Sequence, residues 1–184
     1  MRIIAGEMRG RRIEAPPGLA TRPMLDRVRE AMFSTLHARF LDAVVLDLFA
    51  GSGSLGLEAV SRGARHVRFV ERGAPAVAVL EKNVAALGVG DRVAIVVADA
   101  LKPASWGDAA DVVFLDPPYA MIEDERPRVL RALCELIDAH LADDGVVVLH
   151  TPRGTLSEAE MTAGQARVRR YGTNDLWYVQ RASS

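Results

Sequence analysis

The segment that most restricts how this chain can fold is the apolar run Val44–Phe49 with the glycine loop behind it. Gly51-Ser52-Gly53-Ser54-Leu55-Gly56 comes next, then a helical pattern over Leu55–Arg62 that Gly63 stops. An apolar strand running through G-x-G-x-x-G into a helix is the entry unit of a parallel α/β sheet. Glycines at these positions allow a tight turn and a close approach of backbone to ligand. The unit repeats downstream. Strands are predicted at His66–Glu71, Val93–Val97, Val112–Leu115 and Val146–His150. Helices are predicted over Pro75–Leu87, ended by Gly88, and over Arg128–Leu141, ended by Asp143-Asp144-Gly145. Apolar strands alternating with helices imply a mostly parallel sheet covered on both faces. After a short helix at Ser157–Met161, the strands Gln165–Tyr171 and Leu176–Arg181 have only a short turn between them. They must therefore be antiparallel to each other. The expected fold is α/β, with seven strands and helices on both faces.

Ahead of this core, Arg2–Ile4 and Arg11–Ala15 read as a β-hairpin with Arg9, Arg11 and Arg12 at or near its turn. A helix from about Leu25 to Phe40 follows, with Val28, Met32, Leu36 and Phe40 on one face. One domain over residues 1–184 is expected, a basic hairpin arm (1–22) on a catalytic core (23–184). The charge is uneven: residues 1–22 total +3 and the remainder −4. A basic arm on a mildly acidic body points to a polyanionic partner. Composition excludes other classes. No apolar run approaches a bilayer span, and Met1–Glu7 carries no secretory leader, so a cytoplasmic protein is expected. Cys134 is alone, at an apolar helix position, and reads as a buried thiol. No Cys/His cluster has metal-ligand spacing, so no metal is expected. His37, His66, His140 and His150 read as surface or strand-end residues.

Chemistry concentrates at the strands' carboxyl ends. Glu71 closes its strand twenty positions after Gly51, where an acid can accept from ribose hydroxyls. A nicotinamide dinucleotide and S-adenosylmethionine both fit that much. Three features favour S-adenosylmethionine. Asp47 can face a cationic amino group, Asp99-Ala100 can meet an adenine amine, and Leu115 is followed by Asp116-Pro117-Pro118-Tyr119. Each proline pushes the residue before it into extended geometry, so the Asp116 carboxylate and the Pro117 carbonyl project as acceptors. Tyr119 adds a flat stacking surface. Two acceptors and a ring suit a planar base carrying an NH2 group.

These residues resemble a known family. Val45-Leu46-Asp47-Leu48-Phe49-Ala50-Gly51-Ser52-Gly53 with Asp116-Pro117-Pro118-Tyr119 is similar to the Rossmann-like class I methyltransferases that modify exocyclic amines. Arg2-Ile3-Ile4-Ala5-Gly6, Arg9-Gly10-Arg11, and Thr21-Arg22-Pro23 with Asp26–Glu30 narrow the resemblance to the RsmD-type 16S rRNA (guanine-N2) methyltransferases. The resemblance implies a methyl donor, S-adenosylmethionine, held by Thr21, Arg22, Asp47, Phe49, Gly51, Gly53, Glu71, Asp99 and Ala100. It implies catalysis by Asp116, Pro117 and Tyr119, with RNA met by Arg9, Arg11, Arg12, Pro118 and Tyr119. The implied substrate is guanine 966 of 16S rRNA within the 30S subunit, modified by a monomer. An N6-adenine or N4-cytosine DNA methyltransferase is the alternative. The chain leaves no room for the target-recognition domain that duplex DNA would need, which favours RNA shaped by its own fold.

Overall fold

The computed structural model describes residues 1–16 and 26–182. Thr21 and Arg22, expected at the donor site, lie outside the described residues. Helix α1 (Asp26–Thr35) is shorter than the apolar pattern predicts, and a separate 3₁₀ turn at His37–Arg39 carries the chain to Phe40. Strand β1 (Val44–Leu48) leads through the glycine loop into α2 (Ser54–Ser61), then β2 (His66–Glu71), α3 (Ala74–Leu87) and β3 (Val93–Val97). The second half runs β4 (Ala110–Leu115), α4 (Tyr119–Asp124), α5 (Arg126–Glu135) with a π turn at Leu136–His140, and β5 (Leu141–Pro152). It closes with β6 (Gln165–Tyr171) and β7 (Asn174–Gln180). The region predicted as a helix at Ser157–Met161 holds a 3₁₀ turn, Glu158–Glu160, closed by a reciprocal Ser157/Glu160 cap.

The seven strands form one sheet in the order β3-β2-β1-β4-β5-β7-β6. The first five are parallel, β7 is antiparallel to both neighbours, and the β6–β7 pair meets the antiparallel expectation. Side chains alternate across the strands. Val45, Val112, Phe114, Val146 and Val148 face α1, α2 and α3, where Phe33, Leu57 and Leu80 are buried. Leu46, Leu48, Val113, Leu115, Val147 and Leu149 face α5 and the π turn, where Val129, Leu133, Leu136 and Ile137 are buried. Each face thus carries its own dry core, as a sheet covered on both sides requires. Cys134 is half-buried within α5. Strand order reverses between β1 and β4, and at such a switch point the crevice opens beyond the carboxyl ends of the two strands.

The N-terminal hairpin is hydrogen-bonded through Ile3 N–H to Arg11 O (3.0 Å) and Gly10 N–H to Ile3 O (2.9 Å), with one bridge between Arg2 and Arg12. Ile3, Met8 and Ile13 are buried in the same core as α1 and α2. The buried Glu58 carboxylate of α2 accepts from Ile4 N–H (2.6 Å), Ala5 N–H (3.0 Å) and Arg62 Nε (2.8 Å). The hairpin is therefore seated on the body by packing and by a buried charge.

Candidate active site

The glycine loop is shaped by contact on both sides. Gly53 has φ +80°, and a Cβ there would sit 2.3 Å from Leu80 Cδ1. A Cβ on Gly56 would lie 2.2 Å from Phe69 Cε1, so the missing side chain is what lets α2 press against β2. Between strand and loop, Phe49 adopts φ +61°. A bulky residue in the left-handed region carries strain of about 1–3 kcal/mol, and such residues gather at binding sites.

Around this loop the predicted acids take different posts. Asp47 is buried beneath it, and Oδ2 accepts the Gly56 N–H at 2.8 Å. Its carboxyl is raised well above the ordinary range by burial, against the pull of the Gly56 N–H and with the charges of Asp116 and Glu71 adding. Glu71 bridges two segments: Oε2 accepts from Gly51 N–H (3.0 Å), and Oε1 from Arg72 N–H (2.8 Å) and Gly73 N–H (2.7 Å). Asp99 accepts from Leu101 N–H (3.1 Å) and pairs with Arg128 of α5. Its partial burial acts to raise the carboxyl, but the Leu101 N–H and the Arg128 guanidinium hold it below the ordinary range. Ala100 is buried, its carbonyl accepting the Trp106 indole N–H at 2.8 Å.

This arrangement bears on the ligand. A dinucleotide fold offers the unpaired N–H groups of its glycine loop to a pyrophosphate. Here Gly51 N–H is taken by Glu71, Gly53 N–H by the Ala50 carbonyl (2.7 Å) and Gly56 N–H by Asp47. Two of these N–H groups are thus held by the protein's own carboxylates. What remains at the crevice is acidic and suits a ligand bearing a cation and hydroxyls.

Across the switch point, Asp116 follows β4, and its N–H reaches the Leu48 carbonyl of β1 at 3.4 Å. Pro117 is buried and Pro118 exposed. The Pro118 carbonyl accepts from Met121 N–H (2.9 Å) and Ile122 N–H (3.4 Å) and so belongs to α4, while the Pro117 carbonyl precedes that helix. The sequence pattern missed α4, a helix of under two turns started by the proline pair. It fixes Tyr119 at its first position. The Tyr119 ring is 37% exposed, and its hydroxyl donates to Asn174 Oδ1 at 2.8 Å.

His150 corrects the surface or strand-end reading. It lies on β5 and is 3% exposed; Nδ1 meets Asp116 Oδ1 at 2.7 Å and Nε2 meets Asn174 Oδ1 at 2.8 Å. Burial alone would lower its titration. The hydrogen bond and charge of Asp116, with Asn174 behind, outweigh this and leave it raised. Its strand contained the clue, because Val146, Val148 and His150 share one face and the first two are core residues. Asn174 and Arg128 carried no such signal.

The predicted RNA arginines are not brought to this site. The turn of the N-terminal hairpin rests on the carboxyl end of α2, with Glu7 N–H on Ser61 O (2.8 Å) and the Glu7 side chain on Arg92 just before β3. Arg11 donates to the Ala86 carbonyl near the end of α3. Both places lie at the amino end of the sheet, opposite Asp116. Arg9 and Arg12 are exposed. Other arginines do lie toward the carboxyl ends of the strands: Arg128 pairs with Asp99, and the C-terminal segment adds more. Arg153 donates to the Gly172 carbonyl (3.1 Å), and Arg167, Arg169 and Arg170 are exposed on β6.

Known proteins share both the sequence and this geometry. The family described as Conserved hypothetical protein 95 matches residues 1–180. Ribosomal RNA small subunit methyltransferase D of Escherichia coli K12 is 34% identical over 183 residues, covering 93% of this chain and 89% of its own. The chain belongs to this family, the RsmD methyltransferases. The Haemophilus influenzae member is 40% identical over 139 residues, covering 73% of this chain and 71% of its own. The solved structure of the Escherichia coli protein yhhF aligns with a TM-score of 0.84 at 32% identity, covering 100% of this chain and 99% of that one. The Rossmann-like class I methyltransferase fold inferred for an RsmD-family chain is thus the fold observed, and its chemistry is methyl transfer. No described helix is long and apolar enough to cross a membrane.

Proposed function

We propose that this RsmD-family enzyme transfers a methyl group from S-adenosylmethionine to the exocyclic N2 amine of a guanine in 16S rRNA. The family resemblance makes this guanine 966, and the substrate the assembled 30S subunit, met in the cytoplasm by a monomer. The observation that carries the reading is the placement of Asp116-Pro117-Pro118-Tyr119 directly across the strand switch from an acid-lined glycine loop. The names of the curated relatives, ribosomal RNA small subunit methyltransferase D, support RNA as the substrate class.

S-adenosylmethionine fits this set of donors and acids, and when bound it supplies an electrophilic sulfonium methyl. Asp47, Glu71 and Asp99 are the acids that would hold its ammonium, ribose and adenine ends, with Phe49, Gly51, Gly53 and Ala100 forming the walls. Thr21 and Arg22 complete the set implied by the family. An aromatic exocyclic amine is a weak nucleophile because its lone pair is delocalised into the ring. The Asp116 carboxylate and the Pro117 carbonyl accept its two N–H bonds, draw the nitrogen out of the ring plane and aim its lone pair across the crevice. Acceptors placed where positive charge develops also stabilise the transition state. Tyr119 stacks on the base beside Pro118, a contact of about 1–3 kcal/mol. The methylated nitrogen then releases one proton to solvent. Arg9, Arg11 and Arg12 meet RNA far from the target base, and the β6 arginines meet it nearby.

The test is to incubate the protein with labelled S-adenosylmethionine and, separately, unmodified small subunits, free 16S rRNA and duplex DNA, then map the methylated base. Label on one guanine N2 of the particle is expected. Label on duplex DNA alone would support the N6-adenine or N4-cytosine alternative. Binding of NADH in preference to S-adenosylmethionine would overturn the donor assignment.

A further inference from the structure

His150 sits between two acceptors. A carboxylate only accepts, and Asp116 Oδ1 stands 2.7 Å from Nδ1. At the other nitrogen stands Asn174, whose orientation is settled by its far end. Nδ2 donates to the Tyr171 carbonyl at 3.2 Å, so Oδ1 faces His150. Reversing the amide would set two carbonyl oxygens against each other. Oδ1 already accepts the Tyr119 hydroxyl at 2.8 Å, so it too can only accept here. Satisfying both short contacts requires a proton on each ring nitrogen. A carboxylic acid facing a neutral imidazole would satisfy the geometry as well. The intrinsic preferences, about 3.9 for Asp and 6.5 for His, put that proton on the ring.

We propose that His150 is held as an imidazolium whose two N–H groups clamp Asp116 directly and Tyr119 through Asn174, making it the positioning residue for both groups that face the target base. The inference rests on the methyl-transfer reading of the site. With Oδ1 engaged, the Asp116 carboxylate cannot rotate, and its other oxygen is presented to the substrate amine; the side chain is 30% exposed. The cation also offsets the Asp116 charge beside the buried Asp47. His150 stands within reach of the reacting site but cannot serve as a base there, because it has no lone pair to offer.

Among the described residues, three groups face the ring. Asp116 approaches from the end of β4, Asn174 from β7 and Tyr119 from α4, its ring edge-on to the imidazole at 5.7 Å. Asp175 belongs to the opposite face of β7, where it accepts from Gly154 N–H at 3.0 Å. Asp116 is thus the charge that retains the proton, consistent with the raised titration. When the proton leaves, Nε2 becomes an acceptor against Asn174 Oδ1. The Tyr119 hydroxyl, 3.4 Å from Nε2, is the donor able to turn toward it. Deprotonation therefore frees the Asn174–Tyr119 side of the clamp and leaves Asp116 held by a neutral, weaker Nδ1–H donor. Methyl transfer should fall as pH rises through the raised His150 value, and hold below it until other groups titrate.

The test reads the ring directly. In protein labelled with ¹⁵N-histidine, with His150 assigned by its loss in His150→Gln, both ring nitrogens should stay protonated at pH values where a free imidazole has already lost a proton. Asn174→Ala should lower the titration midpoint in the same spectra. His150→Gln should bind S-adenosylmethionine within about twofold of the unaltered protein but lose roughly 10- to 100-fold in kcat, as small misplacements of reacting groups do. It should also lose the fall at high pH. A lone-pair nitrogen on His150 at or below the ordinary imidazole value would overturn the clamp, as would an unchanged kcat profile in folded His150→Gln. The spectra need no RNA, so a failure of rRNA methylation would overturn the reaction and leave the clamp standing.

Discussion

Among the described residues there are two β-hairpins, one near each end of the chain, and both are rich in arginine. The N-terminal one carries Arg2, Arg9, Arg11 and Arg12; the C-terminal one, β6 and β7, carries Arg167, Arg169 and Arg170. They differ in where their turns point. The first buries Ile3, Met8 and Ile13, seats two backbone N–H groups on Glu58, and turns at the amino end of the sheet. The second turns at Gly172-Thr173, beside the carboxyl ends, and supplies Asn174 to the Asp116 cluster. Equal charge on the two does not mean equal roles. One hairpin is part of the core that happens to be basic outside, and the other borders the candidate site.

The comparison can be broken at several points. The largest effect belongs to the site that the C-terminal hairpin borders. Asp116→Ala should reduce kcat by about 100- to 1,000-fold or more, the usual cost of losing an electrostatic acceptor, with S-adenosylmethionine affinity nearly unchanged by calorimetry. Turnover close to normal would remove Asp116 from the mechanism. The N-terminal hairpin should answer instead in stability. Glu58→Ala leaves the Ile4 and Ala5 N–H groups and Arg62 without their acceptor, and should cost about 2–4 kcal/mol in urea unfolding. A smaller loss would mean that apolar packing alone seats the hairpin.

RNA binding should separate the hairpins further. Arg167→Ala with Arg169→Ala should weaken affinity for the small-subunit particle and flatten its salt dependence, each lost phosphate contact lowering the log–log slope by about 0.7–0.9. Arg9→Ala with Arg12→Ala should do the same to a lesser degree. If the order is reversed, the particle approaches from the amino end of the sheet. Smallest is Arg128→Ala, outside both hairpins. The Asp99 carboxyl should rise toward its ordinary value in an NMR titration, while stability barely changes because solvent screens the pair. Asp99's depressed carboxyl contributes above the ordinary value, and that contribution fades as pH falls through the lowered one.

Much of this architecture was legible in the residues. His66–Glu71, Val93–Val97 and Gln165–Tyr171 are strands with the predicted bounds: the first two are rich in apolar residues, and the third lies between Gly164 and Gly172. The acids at four strand ends were legible too, since strand ends share one crevice in such a sheet. What escaped was set by tertiary packing. β5 starts at Leu141, five residues before Val146, because Leu141 pairs with Ala110 across a bulge that no local pattern announces. The N-terminal helix ends at Thr35 because the 3₁₀ turn brings Phe40 under Phe33, the ring centroids 5.1 Å apart. The hairpin arginines were visible as charge, but their distance from Asp116 depends on which side of Glu58 the turn falls. His150 was hidden by residue type: a histidine at a strand end looks solvated until its partners are known.

Asp47, buried beneath the glycine loop, bears on which adenosine compounds can compete for the site. Most of the adenosine that an enzyme meets is attached to phosphates, and the abundance of such nucleotides makes them natural competitors for any adenosine pocket. A loop whose N–H groups were all open would favour their phosphates. With the Gly51 and Gly56 N–H groups already held by Glu71 and Asp47, two of the donors such a phosphate would use are occupied here.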